Sequence, residues 1–285
     1  MVPPRWSDRC SGPSRWRGYR RPMPTPLILL PPSEGKADGG DGPCWAVADQ
    51  SFPDLAEQRR VVVRALVEAM GAPSEDRSKL LGVGTAKAEE ATATNLVVDS
   101  APTLPAIQRY TGVLYDALDY PSLPANVRRG VDRQVVILSG LWGAVRPTDP
   151  IPDYKLKMGA ALPGLGRPAR FWKPALTAAL AEASSGTVWD LLPNEHAVAW
   201  DPAIAGRRIR VRFLDDVVKN GERTLVTVSH WNKLLKGALV RHVVEHGLDD
   251  PEGLVGFDHP EGYSYDPSLT VVDGATTEVA LVARR

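Results

Sequence analysis

Hydrophobic residues along this chain follow two spacings, one typical of strands and one typical of helices. Short apolar or alternating runs bounded by Gly, Pro or charged residues predict strands. The predicted strands cover residues 26–32, 134–140, 187–192, 208–214 and 223–228. Apolar residues repeated every three or four positions predict amphipathic helices. The predicted helices cover residues 55–70, 78–95 (with a Gly-Val-Gly turn inside), 106–118, 173–183 and 233–246.

The order of these elements predicts a mixed α/β architecture of the α+β class. No repeat and no long polar linker divides residues 23–285, so we expect a single domain. An alternative boundary between two lobes is the Pro-rich stretch 147–168. The longest apolar runs have about four residues, whereas a membrane-spanning helix needs roughly 20. We therefore expect no membrane partner.

Residues 1–22 differ in composition from the rest of the chain. They contain six arginines and one acid and are rich in Pro, Ser and Trp. Their apolar residues show neither the strand spacing nor the helix spacing. They predict a disordered arm, or a mis-assigned start with translation beginning at Met23; a nucleic-acid-binding arm is the other interpretation. The segment lacks the apolar stretch of a secretory signal, and Cys10 and Cys44 form no Cys-x-x-Cys pair. We therefore expect a cytoplasmic protein.

The distribution of charge restricts how the protein can bind nucleic acid. The chain has 34 basic and 34 acidic side chains, which leaves 28 basic and 33 acidic ones in residues 23–285. Nonspecific DNA affinity comes mainly from Lys and Arg at the phosphates. Any DNA-binding surface must therefore be a local basic patch.

Residues 80–88, Leu-Leu-Gly-Val-Gly-Thr-Ala-Lys-Ala, have the pattern of the hairpin in a helix-hairpin-helix motif. Gly82 and Gly84 allow a tight turn and a close backbone approach, and free N–H groups at the next helix start can hold a phosphate. Lys87 adds a positive charge beside them. The alternative is an ordinary joint between two helices, since two acids follow Lys87 closely. A dinucleotide fingerprint is excluded because Lys87 stands where its third Gly belongs.

The loop after the first strand reads Pro32-Ser33-Glu34-Gly35-Lys36. It is not a P-loop, because Leu occupies the position of the first Gly and Ala follows Lys36. Ser33 and Lys36 are candidates for contact with a phosphate or a carboxylate. A polar turn without a ligand is the alternative.

A longer candidate site follows the predicted strand 134–140. Residues 139–159 read Ser-Gly-Leu-Trp-Gly-Ala-Val-Arg-Pro-Thr-Asp-Pro-Ile-Pro-Asp-Tyr-Lys-Leu-Lys-Met-Gly. A strand that gives way to a Gly/Pro-rich loop with Arg, Asp, Tyr and Lys is typical of a preformed site. Residues 146–173 contain six basic residues and two acids, and Trp172 offers a stacking surface. The alternative is a set of core aromatics beneath a solvated cationic face.

Asn194-Glu195-His196 follows the predicted strand 187–192. Glu195 is a candidate acid or base and His196 a candidate proton carrier, although a lone His is commonly structural. His242 and His246 have helical spacing, but no His-Glu-x-x-His zinc motif is completed. We expect no metal and no organic cofactor.

Together these blocks resemble the YaaA family of peroxide-stress proteins. The resemblance runs from about Leu27 to the C-terminus. It rests on the loop that ends at Lys36 and on residues 139–147, 154–159, 171–172, 233–241 and 256–263. It implies a cytoplasmic protein of peroxide stress and DNA repair, with a mixed α/β fold, a helix-hairpin-helix element and a basic cleft for duplex or branched DNA. The first loop departs from the Ser-Pro-Ala-Lys sequence that is familiar in the family, so only Lys36 carries over from it. His196 stands where the family has a Tyr.

Three functional hypotheses follow. The third, described least by the sequence, is an interaction protein without catalysis. In the first, the protein binds the DNA backbone independently of sequence. The residues assigned to DNA are Gly82, Gly84, Lys87, Lys155, Lys157 and Lys173, with Arg146 as a further phosphate contact. In the second, the protein is an enzyme that acts on a nucleotide or a nucleic-acid base. Its catalytic residues are Lys36, Arg146, Tyr154 and Glu195. The second hypothesis requires Lys36 and Glu195 to face one cavity.

Overall fold

The computed structural model describes residues 25–184, 186–219, 221–228 and 231–284, which form strands and helices in mixed order. In chain order the strands are β1 (Leu27–Leu30), β2 (Gly42–Cys44), β3 (Pro102–Pro105), β4 (Val135–Ser139), β5 (Gly143–Val145), β6 (Pro150–Ile151), β7 (Thr187–Asp190), β8 (Arg207–Lys219), β9 (Glu222–Thr227), β10 (Tyr263–Asp273) and β11 (Thr276–Arg284). The α-helices are α1 (Ala56–Ala69), α2 (Ser74–Leu81), α3 (Thr85–Leu96), α4 (Ala106–Arg109), α5 (Val113–Leu118), α6 (Ala125–Gln134), α7 (Pro168–Ala183), α8 (Asn194–Ala197) and α9 (Asn232–His246).

A large mixed sheet organises the fold. Its strands follow the order β10-β11-β8-β7-β1-β4-β5, and β9 pairs with β8. The pairs β4–β1, β1–β7, β7–β8 and β8–β11 are parallel, whereas β5, β9 and β10 pair antiparallel to their neighbours. A second, small sheet has the order β2-β3-β6. The result is a mixed α/β domain, as predicted.

The central strands β1 and β4 are buried along their whole length. Every residue of both strands is at most 2% exposed. Strands covered on both faces appear in a sequence as continuous apolar runs rather than as alternation. This explains why Leu-Ile-Leu-Leu and Val-Val-Ile-Leu could be recognised as strands. The Pro-rich stretch 147–168 contributes Tyr154, Leu156 and Met158 to the same core.

The five predicted strands and four of the five predicted helical segments are confirmed, with shifted ends. The strand predicted at 208–214 extends to Lys219, and the helix predicted at 173–183 begins at Pro168. Two helices, α2 and α3, lie on either side of the Gly-Val-Gly turn. Pro168 is the first residue of α7, which fits this earlier start because Pro is favoured in the first turn of a helix.

The single helix predicted at 106–118 is wrong. The chain leaves the helix after Arg109 and re-enters one at Val113, with Gly112 at a φ of 98°. The main chain between them pairs with the loop after β1: Ala37 N–H donates to the Arg109 carbonyl at 2.9 Å, and Thr111 N–H donates to the Gly35 carbonyl at 3.2 Å. This long-range pairing outweighs local helix propensity.

The sequence patterns also missed α6, β10 and β11. β10 contains Pro267 and an irregular register between Asp266 and Val271, which is typical of an edge strand and removes the simple alternation. No α-helix of the described part of the chain is long and apolar enough to cross a membrane. The predicted arm or alternative start at residues 1–22 lies outside the described residues.

Candidate functional site

The candidate site lies where three neighbouring parallel strands end. β1 leads into the loop that carries Lys36, β4 ends at Ser139, and β7 leads into Glu195 and His196. β1 lies between β4 and β7, so the three carboxyl ends meet at one edge of the sheet. Ligands of open α/β sheets bind in the crevice outside this edge.

Lys36 is held near the centre of this edge. Its backbone forms an isolated bridge with Tyr110. Its ammonium group lies 4.3 Å from the centre of the Tyr154 ring and 3.4 Å from the Ser33 carbonyl oxygen. No described carboxylate lies within 4.0 Å of this ammonium group. Burial lowers the pKa of Lys36 to about 8, and the Asp153 carboxylate partly opposes this shift.

A network of hydroxyl groups lies beneath Lys36. The Tyr154 hydroxyl is 2.8 Å from the Tyr110 hydroxyl and 2.7 Å from the Ser139 Oγ. Ser139 Oγ also accepts hydrogen bonds from the N–H groups of Leu141 and Trp142, each at 3.2 Å. Burial raises the pKa of Tyr154 to about 12, so this group stays protonated at neutral pH.

Two neighbouring cavities share a wall of Glu34, Lys36, Tyr154 and Lys155. The hairpin-side cavity has a volume of about 290 Å³ and is also lined by one face of α3. The α3 residues that line it are Lys87, Glu90, Ala91 and Thr94. The His196-side cavity has a volume of about 110 Å³ and is also lined by Lys157, Glu195 and His196. Lys36 therefore faces both spaces.

Glu34 joins two of the predicted lysines. Its carboxylate lies 3.2 Å from the Lys155 ammonium and 3.7 Å from the Lys157 ammonium. The hydrogen bond from Lys155 lowers the pKa of Glu34, although burial opposes the shift. Sequence reasoning did not select Glu34 as a functional residue. Its place between Ser33 and Lys36 was the available signal.

The turn between α2 and α3 lies against the Lys157 side chain, and the C-terminal end of α3 is hydrogen-bonded to the Lys155 backbone. Gly82 has a φ of 64°, and the N–H groups of Gly82 and Val83 both donate to the Ser78 carbonyl, at 2.9 and 3.2 Å. A Cβ atom on Gly82 would lie 3.1 Å from the Lys157 ammonium nitrogen. The Asn95 side chain of α3 exchanges two hydrogen bonds with the backbone of Lys155, at 2.9 and 2.8 Å. We call Gly82, Gly84, Lys87, Lys155 and Lys157 the hairpin surface.

Glu195 and His196 are fixed at the far side of the site. Gly159 N–H donates a 2.6 Å hydrogen bond to Glu195 Oε1. Burial lowers the pKa of His196 to about 4, so its ring is neutral at pH 7. His196 Nδ1 is buried and has no hydrogen-bond partner among the described residues. Lys36, Tyr154 and Glu195, three of the four proposed catalytic residues, thus line one cavity.

Two predicted site residues lie elsewhere. The Arg146 guanidinium donates to the carbonyls of Arg133 and Val135, at 2.6 and 3.2 Å, beside the beginning of β4. β5 runs antiparallel to β4 and returns the chain to that end, away from Ser139. Lys173 is an exposed residue of α7 and lines neither cavity. The structure therefore does not bring Arg146 into the cavity with Lys36, Tyr154 and Glu195.

The charge of the site is mixed. The hairpin-side cavity is lined by Lys36, Lys87 and Lys155 together with four acids: Glu34, Asp38, Glu90 and Asp153. Within the described residues no group of three or more His, Cys, Asp or Glu side chains is arranged to hold a metal ion. The available chemistry is that of amines, carboxylates, hydroxyl groups and one neutral imidazole.

Comparison with known proteins gives one consistent family. The family described as peroxide stress protein YaaA matches residues 27–269. A UPF0246 protein of Streptomyces coelicolor is 41% identical over 230 residues, which are 80% of this chain and 85% of that protein. UPF0246 proteins of Corynebacterium glutamicum and Corynebacterium efficiens are 35% and 37% identical, each over 75% of this chain and 83% of the relative.

Proposed function

The chain belongs to the YaaA family of peroxide stress proteins, and from this premise we propose that it binds the DNA backbone in the cytoplasm, independently of sequence. The proposed contact region is the hairpin surface. The observation that supports it most is the contact that this hairpin makes with two lysines: Gly82 in the turn lies against the Lys157 side chain, and Asn95 of α3 is hydrogen-bonded to the Lys155 backbone. Lys155 and Lys157, which follow Lys87 by 68 and 70 residues in the chain, thus lie next to the helix that carries Lys87 or to the turn before it.

Each part of the hairpin surface suits a phosphate group. The first N–H groups of α3, after Gly84, have no partner within their own helix, and the helix dipole favours an anion at this end. Lys87 belongs to the first turn of α3 and lines the same cavity as Lys155, and Lys157 lies against Gly82 in the turn before the helix. Contacts with phosphates carry no base identity. Binding should therefore be nearly equal for different duplex sequences.

The predicted affinity is modest. Glu34 already pairs with Lys155 and Lys157, so these two lysines reach phosphates only in competition with a carboxylate. Each phosphate neutralised by a cation steepens the dependence of log affinity on log salt by about 0.9. A surface of three lysines thus predicts a shallow slope of at most about 3.

Fluorescence anisotropy with labelled duplex and four-way-junction DNA tests this function. Lys87→Glu should weaken binding to all sequences alike, because it reverses one phosphate-facing charge. The matched control is Lys219→Glu at the end of β8, which changes the net charge equally but lines neither cavity. If folded Lys87→Glu protein binds as tightly as wild type at low salt, the hairpin surface is not the DNA site.

The shared cavity of Lys36, Tyr154 and Glu195 supports a second candidate function, an enzyme that acts on a nucleotide or a nucleic-acid base. A partly buried lysine with no carboxylate within ion-pair distance has a perturbed pKa, which is typical of functional sites. Calorimetric titration with nucleotides and free bases tests it. Binding that is lost in Lys36→Met but kept in Lys219→Met would support this candidate, and absence of any binding would count against it.

A further inference from the structure

Backbone pairing with the segment around Tyr110 holds the main chain of Lys36 in place. Ala37 N–H and Thr111 N–H donate to carbonyls on opposite sides of the bridge between Lys36 and Tyr110, at 2.9 and 3.2 Å. Thr111 N–H also donates to Ser33 Oγ at 3.0 Å. The amine therefore reaches the wall shared by both cavities from a rigid base.

The surroundings of this amine increase the fraction that is neutral and nucleophilic. The amine contacts the face of the Tyr154 ring and the Ser33 carbonyl oxygen, and no described carboxylate lies within ion-pair distance. Desolvation disfavours the charged form and places the pKa of Lys36 at about 8. At pH 7.5 roughly a quarter of such amines are neutral, against on the order of one in a thousand for an ordinary lysine. A desolvated lysine is the usual nucleophile for imine formation with carbonyl compounds.

We propose that Lys36 captures abasic sites in DNA by forming an imine with the C1′ aldehyde of the ring-opened deoxyribose, an inference that rests on the DNA binding proposed above. The amine nitrogen adds to the aldehyde carbon and gives a carbinolamine. Both hydrogens of the neutral amine then leave with the aldehyde oxygen as water, and the C=N bond forms. No oxidant, reductant or metal takes part.

The size and the neighbours of the site favour an abasic sugar over a complete nucleotide. The hairpin-side cavity, at about 290 Å³, lies just below the range typical of sites for drug-sized ligands. An abasic deoxyribose has lost its base and is correspondingly small. Phosphates on its two sides would meet Lys87 and Lys155, which line this cavity, and Lys157, which lines the neighbouring one. The reactive aldehyde is then carried by the same polymer that the hairpin surface is proposed to hold.

Reductive trapping tests this inference. A duplex with one uracil is converted by uracil-DNA glycosylase into an abasic duplex, and is then incubated with the full chain and sodium cyanoborohydride at pH 7.5. We expect a covalent protein–DNA adduct on a denaturing gel, and mass spectrometry should place the adduct on Lys36. The trapping rate should rise with pH and reach half of its plateau near pH 8 rather than near 10.5.

Two variants and a second duplex separate the possible results. Lys36→Arg keeps the charge but cannot form the imine, so the trapped fraction should fall by at least about tenfold. Lys219→Arg on β8 should trap like wild type. A duplex with a tetrahydrofuran residue, which has no aldehyde, measures binding alone. If Lys36→Arg does not fold, the site of the wild-type adduct decides.

Each result has a defined meaning. An adduct on Lys36 with the half-rise near pH 8 supports the inference. Binding of the tetrahydrofuran duplex without an adduct, or with the adduct on another lysine, overturns the inference and leaves the proposed DNA binding intact. Failure to bind any duplex overturns the proposed function. If 2-deoxyribose 5-phosphate is trapped on Lys36 but abasic DNA is not, DNA is not the substrate and the inference is wrong.

Discussion

Neutralising Glu34 should strengthen DNA binding, although most substitutions at a binding surface weaken it. Glu34→Gln removes the carboxylate that pairs with Lys155 at 3.2 Å and with Lys157 at 3.7 Å. It also removes a negative charge that repels phosphates. The amide keeps the size of the side chain and can still accept a hydrogen bond.

The magnitude follows from the exposure of the pair. The Glu34 side chain is 67% exposed, and those of Lys155 and Lys157 are 19% and 36% exposed. Pairs this close to solvent contribute about 0.2–1 kcal/mol each. A gain of about 1 kcal/mol corresponds to roughly fivefold tighter binding. Two freed lysines also steepen the salt dependence of log affinity by up to about 2.

Fluorescence anisotropy at several salt concentrations measures both effects. Glu57→Gln is the matched control, because Glu57 is an exposed carboxylate that pairs with Arg60 on α1 and lines neither cavity. We expect DNA affinity to increase for Glu34→Gln but not for Glu57→Gln, and the increase to be smaller at higher salt. Unchanged or weaker binding by folded Glu34→Gln protein would show that Lys155 and Lys157 do not meet phosphates.

Three further outcomes follow from the structure. Gly82→Ala should lower the free energy of unfolding by about 1 kcal/mol, because Gly82 has a φ of 64°. Gly84→Ala should be tolerated, because Gly84 has a φ of −66° and a new Cβ would have nothing within 4 Å; thermal melting of both variants checks this. Lys36 binds its proton less tightly in the folded state, with a pKa of about 8 against 10.5, so the folded state gains stability as the pH rises from 8 to 10.5. Over this range the free energy of unfolding, measured with urea, should rise by up to about 3 kcal/mol more in wild type than in Lys36→Met. Arg146→Ala should cost about 1–3 kcal/mol of stability, because the guanidinium donates to two main-chain carbonyls, and should leave DNA affinity unchanged in the anisotropy assay.

The sequence predicted those parts of the fold that local patterns determine. The continuous apolar runs of β1 and β4 identified the central strands, because a strand covered on both faces has no polar side to alternate with. The Gly-Val-Gly pattern located the turn between α2 and α3, where Gly82 adopts the positive φ that a tight turn needs. The helix predicted at 106–118 was wrong because its backbone pairs with the loop of Lys36, which is about 70 residues earlier.

The candidate site could be predicted only in part, since its members come from separate segments. Lys36, Tyr154 and Glu195 were selected because each lies in a polar segment that follows a predicted strand. They line one cavity because the carboxyl ends of the parallel strands meet at one edge of the sheet. Arg146 shares a segment with Tyr154, but the β4–β5 pairing directs it to the opposite end of β4. The roles of Glu34 and Asn95 depend on contacts across the fold, which no local pattern shows.

A crystal structure of the protein with a short duplex tests the central claim most directly. The account predicts backbone phosphates within about 3.2 Å of the first N–H groups of α3 and of the Lys87 and Lys155 ammonium groups, without contacts to base edges. Phosphates bound at another face, with the hairpin surface left exposed to solvent, would contradict it.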